Sequence, residues 1–94
     1  MVIKEYIKGK QLTELEKLKS NIEKDVEFFK FDYSFKYDVG YRVSLEITPV
    51  RRVLKEKEKI SKDMISIQEY LLEREISFSF TSWGDFIKLS IRDD

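Results

Sequence analysis

The sequence predicts an α+β fold, with a four-stranded antiparallel sheet and two helices packed on one face of it. Two stretches alternate apolar and polar residues at every second position, which is typical of strands with one buried face. Two other stretches repeat apolar residues at steps of three and four, as amphipathic helices do. In chain order these stretches give αββαββ, and residues 2–8 are a candidate fifth strand.

The N-terminal part of the chain predicts a short strand followed by a long helix. Residues 2–8 are interpreted as an edge strand that Gly9 ends, although their apolar residues also fit one helical face. Residues 10–29 predict the first helix, because Thr13 and Glu16 fit a capping box and apolar residues recur on one face. That apolar face consists of Leu12, Leu15, Leu18, Ile22, Val26 and Phe29.

The clearest strand pattern is a hairpin over residues 30–47. Its predicted buried face consists of Phe31, Tyr33, Phe35, Tyr37, Tyr41, Val43, Leu45 and Ile47. Asp38, Val39 and Gly40 fit a three-residue loop that ends in a glycine with left-handed backbone geometry. The hairpin is therefore expected to bury an aromatic stripe against the helices.

The segment after this hairpin allows two interpretations. Thr48 followed by Pro49 fits the start of a helix. The charged run at residues 55–59 has no apolar residue between Leu54 and Ile60, so a helix over 49–60 either extends beyond the sheet or is replaced by a loop. If a loop replaces it, the helix starts at Ser61. Residues 61–74 are predicted to be helical in both interpretations. The apolar residues of this helix are Ile60, Met64, Ile65, Ile67, Leu71 and Leu72.

A second hairpin is predicted around a turn at residues 82–85. Its expected buried face consists of Ile76, Phe78, Phe80, Ile87, Leu89 and Ile91. The strand after Gly84 repeats, at a constant offset, the apolar pattern of the strand after Gly40. The match indicates either an αββ duplication or convergence on one pattern.

Composition limits the classes of protein that the chain can represent. Its 94 residues suit one domain spanning 1–94, and the hydrophobic share of 41% is enough to form a core. The 18 basic and 18 acidic residues balance, so net charge favours neither nucleic-acid binding nor DNA mimicry. No apolar run suits a membrane span or a signal peptide, so we expect a cytoplasmic protein.

Catalytic chemistry has few candidate residues in this chain. There is no Cys and no His, which removes the commonest nucleophile–base pairs and metal ligands. We therefore expect no enzymatic activity, no cofactor and no metal site. The αββαββ order is shared with LAGLIDADG homing endonucleases. However, the first predicted helix ends in Asp-Val-Glu-Phe-Phe, where those enzymes carry a Gly-Asp-Gly-type motif.

Two surfaces are candidates for binding. Trp83 lies at a turn and Phe86 falls on the polar side of its strand, so both are candidate protein contacts. The alternative is that Trp83 folds back over the end of the core. The second candidate is a basic stripe that could contact phosphates on a helix: Arg51, Arg52, Lys55, Lys59 and Lys62. The alternative here is a solvated face that Glu56 and Glu58 neutralise.

These observations favour a small non-catalytic protein-interaction module. Its size and composition are in the style of phage and mobile-element inhibitors such as anti-CRISPR proteins, although no motif links it to them. The expected partner is another protein, and a homodimer through a free sheet edge is a further expectation. The second hypothesis is a nucleic-acid-binding module that uses the basic stripe of residues 51–62.

Overall fold

The protein is described from a computed structural model that covers the backbone of residues 2–40 and 42–92, with side chains from Lys8 onward. Its elements are α1 (Val2–Asp25), β1 (Tyr33–Val39), β2 (Val43–Pro49), α2 (Lys57–Glu73), β3 (Phe78–Trp83) and β4 (Phe86–Arg92). All strand pairs are antiparallel, and the strand order is β1-β2-β4-β3. The predicted α+β class and αββαββ order are confirmed.

One face of the sheet forms the core together with both helices. The buried strand residues are Tyr33, Val43, Leu45, Ile47, Ile87, Leu89 and Ile91. The helices add Leu15, Ile22, Ile60, Met64, Ile67, Tyr70 and Leu71 to the same cluster. We call the opposite face, which displays Lys36, Glu46 and Lys88, the open face of the sheet. None of the described core residues of either helix lies on this open face.

The candidate edge strand at residues 2–8 is wrong, because this segment is the first part of α1. Gly9 lies inside the helix, where a glycine is less favourable than alanine by only about 1 kcal/mol. The capping box is also wrong. The Thr13 hydroxyl donates a hydrogen bond to the Gly9 carbonyl (3.0 Å), as a residue inside a helix does.

The link between α1 and β1 differs from the predicted helix over 10–29. α1 ends at Asp25, and a short 3-10 helix at Lys30–Asp32 interrupts the two-residue period. Phe31 is therefore 76% exposed, and the prediction that it is buried is wrong. Phe29 is 66% exposed, while Phe28 packs against Tyr33 with ring centroids 5.8 Å apart.

The first hairpin loop is displaced toward the C-terminus relative to the prediction. Val39 pairs with Val43, so Asp38 and Val39 belong to β1 and not to the loop, and Gly40 does not have the left-handed geometry. Tyr41 lies outside the described residues. The second arm of the hairpin continues to Pro49, so the predicted helix start at Thr48 is wrong.

The charged segment contains neither the long helix nor the late start at Ser61. A short 3-10 helix at Arg51–Val53 follows β2, and α2 begins at Lys57. Val53 is 4% exposed, so its burial in the core holds this connection against the molecule. Along α2 the stripe of Ile60, Met64, Ile67 and Leu71 is buried as predicted, whereas Ile65 and Leu72 are exposed.

The two hairpins meet through their second strands. Leu45 pairs with Ile91, and Ile47 pairs with Leu89, so the two strands that match at a constant offset lie side by side and run antiparallel. The two turns differ, because Gly84 has a φ of +59° and Gly40 does not have a positive φ. An internal duplication remains a hypothesis.

Candidate protein-binding surface

The β3–β4 hairpin places Trp83 directly opposite Phe86. They are the last paired residues before the loop, which consists only of Gly84 and Asp85. A positive φ at the first loop residue is the pattern of a type II′ turn, and glycine adopts it without steric strain. The turn thus places two large aromatic residues at directly opposite positions of the hairpin. We call Trp83 and Phe86 the aromatic pair.

The aromatic pair lies on the open face of the sheet. Ile87 and Leu89 point into the core, so Phe86 points to the other side of β4. Residues directly opposite in an antiparallel pair share a face, which puts Trp83 beside Phe86. Trp83 is 81% exposed and Phe86 is 51% exposed. Trp83 therefore does not cover the core.

Charged side chains border the aromatic pair on the same face. The Lys88 ammonium lies 6.0 Å from the centroid of the Phe86 ring and 3.5 Å from a Glu46 carboxylate oxygen. Glu46 and Lys88 are both partly buried. An apolar centre with a polar border is typical of a protein contact surface.

The turn is tied to the start of α2. The Lys57 ammonium lies 3.0 Å from an Asp85 carboxylate oxygen and 3.4 Å from the Gly84 carbonyl oxygen, to which it donates. Both charged side chains are largely exposed, so this ion pair adds little to stability. The contact shows that the tip of the hairpin, and with it Trp83, lies beside the N-terminus of α2.

The basic residues of the 51–62 segment do not form a stripe on one helix. Arg51 and Arg52 belong to the short 3-10 helix and Lys55 lies in the turn before α2. Only Lys59 and Lys62 are on α2 itself. The prediction of one continuous helical stripe is therefore wrong.

Asp32 neutralises two of these basic residues. Its carboxylate accepts hydrogen bonds from Lys59 and from Arg52, the latter at 3.2 Å. The pKa of Asp32 is lowered, first by the hydrogen bond from Lys59 and then by that from Arg52, while burial opposes the shift. The same hydrogen bond between Lys59 and Asp32 raises the pKa of Lys59. Arg52 also donates to the Phe31 carbonyl at 2.6 Å, so it holds the chain before β1.

Arg51 and Lys55 face solvent around a shallow groove beside the β3–β4 turn. Its lining consists of Arg51, Arg52, Leu54, Lys55, Lys57 and Asp85. No ion pair involves Arg51 or Lys55 within the described part of the chain. Lys62 contributes instead to a separate depression with Phe29 and Asp63. Of the five predicted basic residues, Arg51, Arg52 and Lys55 thus line the groove, whereas Lys59 and Lys62 line the separate depression.

Two exposed aromatic residues were not predicted as surface residues. Phe29 and Phe31 both precede β1, at the end of the sheet where the β3–β4 turn also lies. The Lys59 ammonium lies 4.4 Å from the Phe29 ring centroid, and Lys30 lies 5.5 Å from that of Phe31. Phe29 continued the apolar face of the predicted helix and Phe31 began the alternating pattern of the predicted strand, so neither pattern indicated exposure.

No family model, curated protein or solved structure matches the chain. Among the residues that the structure describes, no helix has both the length and the apolar character needed to cross a membrane. Within the same residues, no cluster of three or more acidic side chains is arranged to hold a metal ion.

Proposed function

We propose that the protein is a non-catalytic protein-interaction module whose contact surface is the aromatic pair on the open face. The observation that carries the proposal is the side-by-side exposure of Trp83 and Phe86, at 81% and 51%. Large adjacent apolar groups in water are unfavourable, and such patches usually mark a contact site. Tryptophan is also among the residues most enriched at the centres of binding interfaces.

The surroundings of the aromatic pair support a protein partner. The turn beside Trp83 has only two residues, and Trp83 is paired with Phe86 in an unbroken register, so little backbone freedom would be lost on binding. The ion pair of Lys88 and Glu46 provides a polar border. A partner with an apolar pocket for one indole ring fits this surface. A compact inhibitor or accessory factor of a larger protein is the role that we propose.

Affinity capture with matched baits tests the proposal. The wild type, Trp83→Ala and Phe31→Ala proteins are incubated with nuclease-treated host lysate, and bound proteins are quantified by mass spectrometry. Phe31→Ala is the control, because Phe31 is also an exposed aromatic residue (76%) but lies outside the pair. We expect a protein that the wild type and Phe31→Ala retain and Trp83→Ala loses. The absence of any protein whose capture depends on Trp83 would refute the proposal.

The groove beside the turn favours nucleic-acid binding as a second candidate function. Arg51, Arg52, Lys55 and Lys57 line it, and Asp85 is the acidic residue among them. Phosphate contacts from such residues make binding strongly salt-dependent. If this function holds, Arg51→Ala with Lys55→Ala should weaken binding of single-stranded oligonucleotides and flatten its dependence on salt. Lack of binding by the wild type at low salt would exclude it.

A further inference from the structure

β3 is an edge strand that lacks the usual protection against pairing. It is at one end of the strand order, and its outer side pairs with no strand among the described residues. Natural edge strands are commonly protected by charged residues, proline or a bulge. The sequence of β3, Phe-Ser-Phe-Thr-Ser-Trp, has no charge and no proline, and its register with β4 is unbroken. β1, the opposite edge, carries Lys36 and Asp38.

The free hydrogen-bonding groups of β3 belong to alternate residues. Arg92 donates its backbone N–H to the Ser77 carbonyl at 3.2 Å, so Ser77 directs its backbone groups toward β4. Because this direction alternates along a strand, Ser79, Thr81 and Trp83 also face β4. Phe78, Phe80 and Ser82 then direct their N–H and C=O groups outward.

We propose that β3 pairs antiparallel with β3 of a second copy, about a two-fold axis at Phe80. Phe80 is the middle one of the outward-directed residues. Only a register centred on it pairs all of them, with Phe78 opposite Ser82 and Phe80 opposite itself. The two sheets then join into one continuous sheet of eight strands.

The side chain of Phe80 suits this position. It lies on the helix-covered face of the sheet, opposite Leu89, yet is 40% exposed because β3 has a neighbour on one side only. Across the proposed axis it would meet the same ring of the second copy, and aromatic cross-strand pairs are favourable. The net charge of zero means that two copies do not repel each other as whole molecules.

A dimer of this kind leaves the open face continuous. Each aromatic pair stays on that face, with Trp83 opposite the small Ser77 of the second copy. The dimer would therefore display two copies of the contact surface on one sheet. This pairing does not depend on the proposed function, because it is measured on the isolated protein.

Charge complementation at Phe80 tests the dimer and its register together. Phe80→Lys and Phe80→Glu place like charges opposite each other across the axis, and each should raise the dimer dissociation constant by about a hundredfold or more. An equimolar mixture of the two variants places opposite charges together and should restore the dimer. The readout is sedimentation equilibrium from micromolar to millimolar protein, with circular dichroism to check folding.

Two further variants complete the test. Ile65→Lys is the matched control, since it adds a lysine at an exposed apolar position (53% exposed) on α2 and should leave the dimer intact. Ser82→Pro removes an outward N–H from an exposed residue and should give a folded monomer, whether or not the Phe80 variants fold. A wild type that stays monomeric at every concentration overturns the proposal. So does a dimer that survives Ser82→Pro, or a mixture of folded Phe80 variants that stays monomeric.

Discussion

The Tyr33 hydroxyl donates a 2.7 Å hydrogen bond to the Asp63 carboxylate, which joins the start of β1 to α2 inside the core. Asp63 is only 9% exposed and Tyr33 is 5% exposed. A buried carboxylate without hydrogen-bond partners is strongly unfavourable, so the hydroxyl compensates for the burial of this charge. Together with Asp32 and Lys59, this contact fixes the position of α2 relative to β1.

Replacing Tyr33 by Phe should lower the free energy of unfolding by about 1–3 kcal/mol, because Asp63 loses its donor while the ring stays packed. The measurement is urea denaturation at neutral pH. Tyr37→Phe is the control, because the Tyr37 hydroxyl makes no hydrogen bond within the described part of the chain. A loss no larger than that of Tyr37→Phe would contradict the proposed role.

The same contact predicts a dependence on alkaline pH. Burial, and then the hydrogen bond to Asp63, raise the pKa of Tyr33 above its ordinary value of 10.0. In the unfolded chain this hydroxyl ionises first, so the stability that it contributes is present below pH 10.0 and is lost as the pH rises further. Tyr33→Phe should reduce this alkaline loss, whatever its effect at neutral pH.

The chain directly after the C-terminus of α2 contains a residue with unfavourable backbone geometry. Glu75 has a φ of +55°, and the Ile76 and Glu75 N–H groups donate to the Leu71 and Leu72 carbonyls at 3.0 and 3.1 Å. This is a Schellman motif, in which the left-handed position is usually glycine. Glu75→Gly should therefore raise the free energy of unfolding by about 1 kcal/mol, as measured in urea. Glu73→Gly, inside the last helical turn, should lower it instead.

The ion cluster around Asp32 predicts a dependence on acid pH. Because the pKa of Asp32 is lowered in the folded protein, its contribution is complete above the ordinary value of 3.8 and is lost as the pH falls below it. Asp32→Asn should therefore lower the urea midpoint at neutral pH and have less effect in acid. Asp38→Asn, at an exposed position on β1, serves as the control. Equal effects of Asp32→Asn at both pH values would argue against this ion cluster.

Trp83 is the only tryptophan, so its fluorescence reports on the aromatic pair directly. With 81% of the residue exposed, its emission in dilute solution should be red-shifted. Trp83→Ala should change the free energy of unfolding by no more than about 0.5 kcal/mol, as is usual for surface positions. A residue covering the core would instead give blue-shifted emission and a loss of about 3–5 kcal/mol on truncation. Thermal denaturation and an emission spectrum are enough to decide.

Hydrophobic periodicity was sufficient to predict the central strands and α2. Leu45, Leu89 and Ile67 are fully buried. In an element with neighbours on both sides, an apolar side chain leaves water only by pointing into the core, so the periodic pattern identifies the buried face. The same rule failed for Phe80 on the edge strand. There one neighbour is missing, and the sequence does not specify strand order. The rule also failed for Phe31, since a single 3-10 turn changes the face on which the next side chain lies.

Local sequence signals for the ends of helices and strands were less informative than periodicity. Gly9 did not end a strand and Pro49 did not start a helix, because local preferences of about 1 kcal/mol do not by themselves decide where an element begins or ends. The exposure of Trp83 and Phe86 was one of two alternatives that the sequence left open. Their direct pairing follows from a two-residue turn, whereas the sequence only placed them near a four-residue one. The role of Asp32 in neutralising Arg52 and Lys59 carried no sequence signal, because it joins distant segments.

The central position of β2 and β4 has a consequence for the folding rate. Each hairpin closes a short loop and can form within microseconds, but joining β2 to β4 closes a loop that contains all of α2 and β3. The encounter of the two hairpins should therefore limit the rate. In stopped-flow experiments, Leu45→Ala on the β2–β4 boundary should slow refolding. A substitution in the exposed tip of the second turn, such as Asp85→Ala, should act mainly on unfolding.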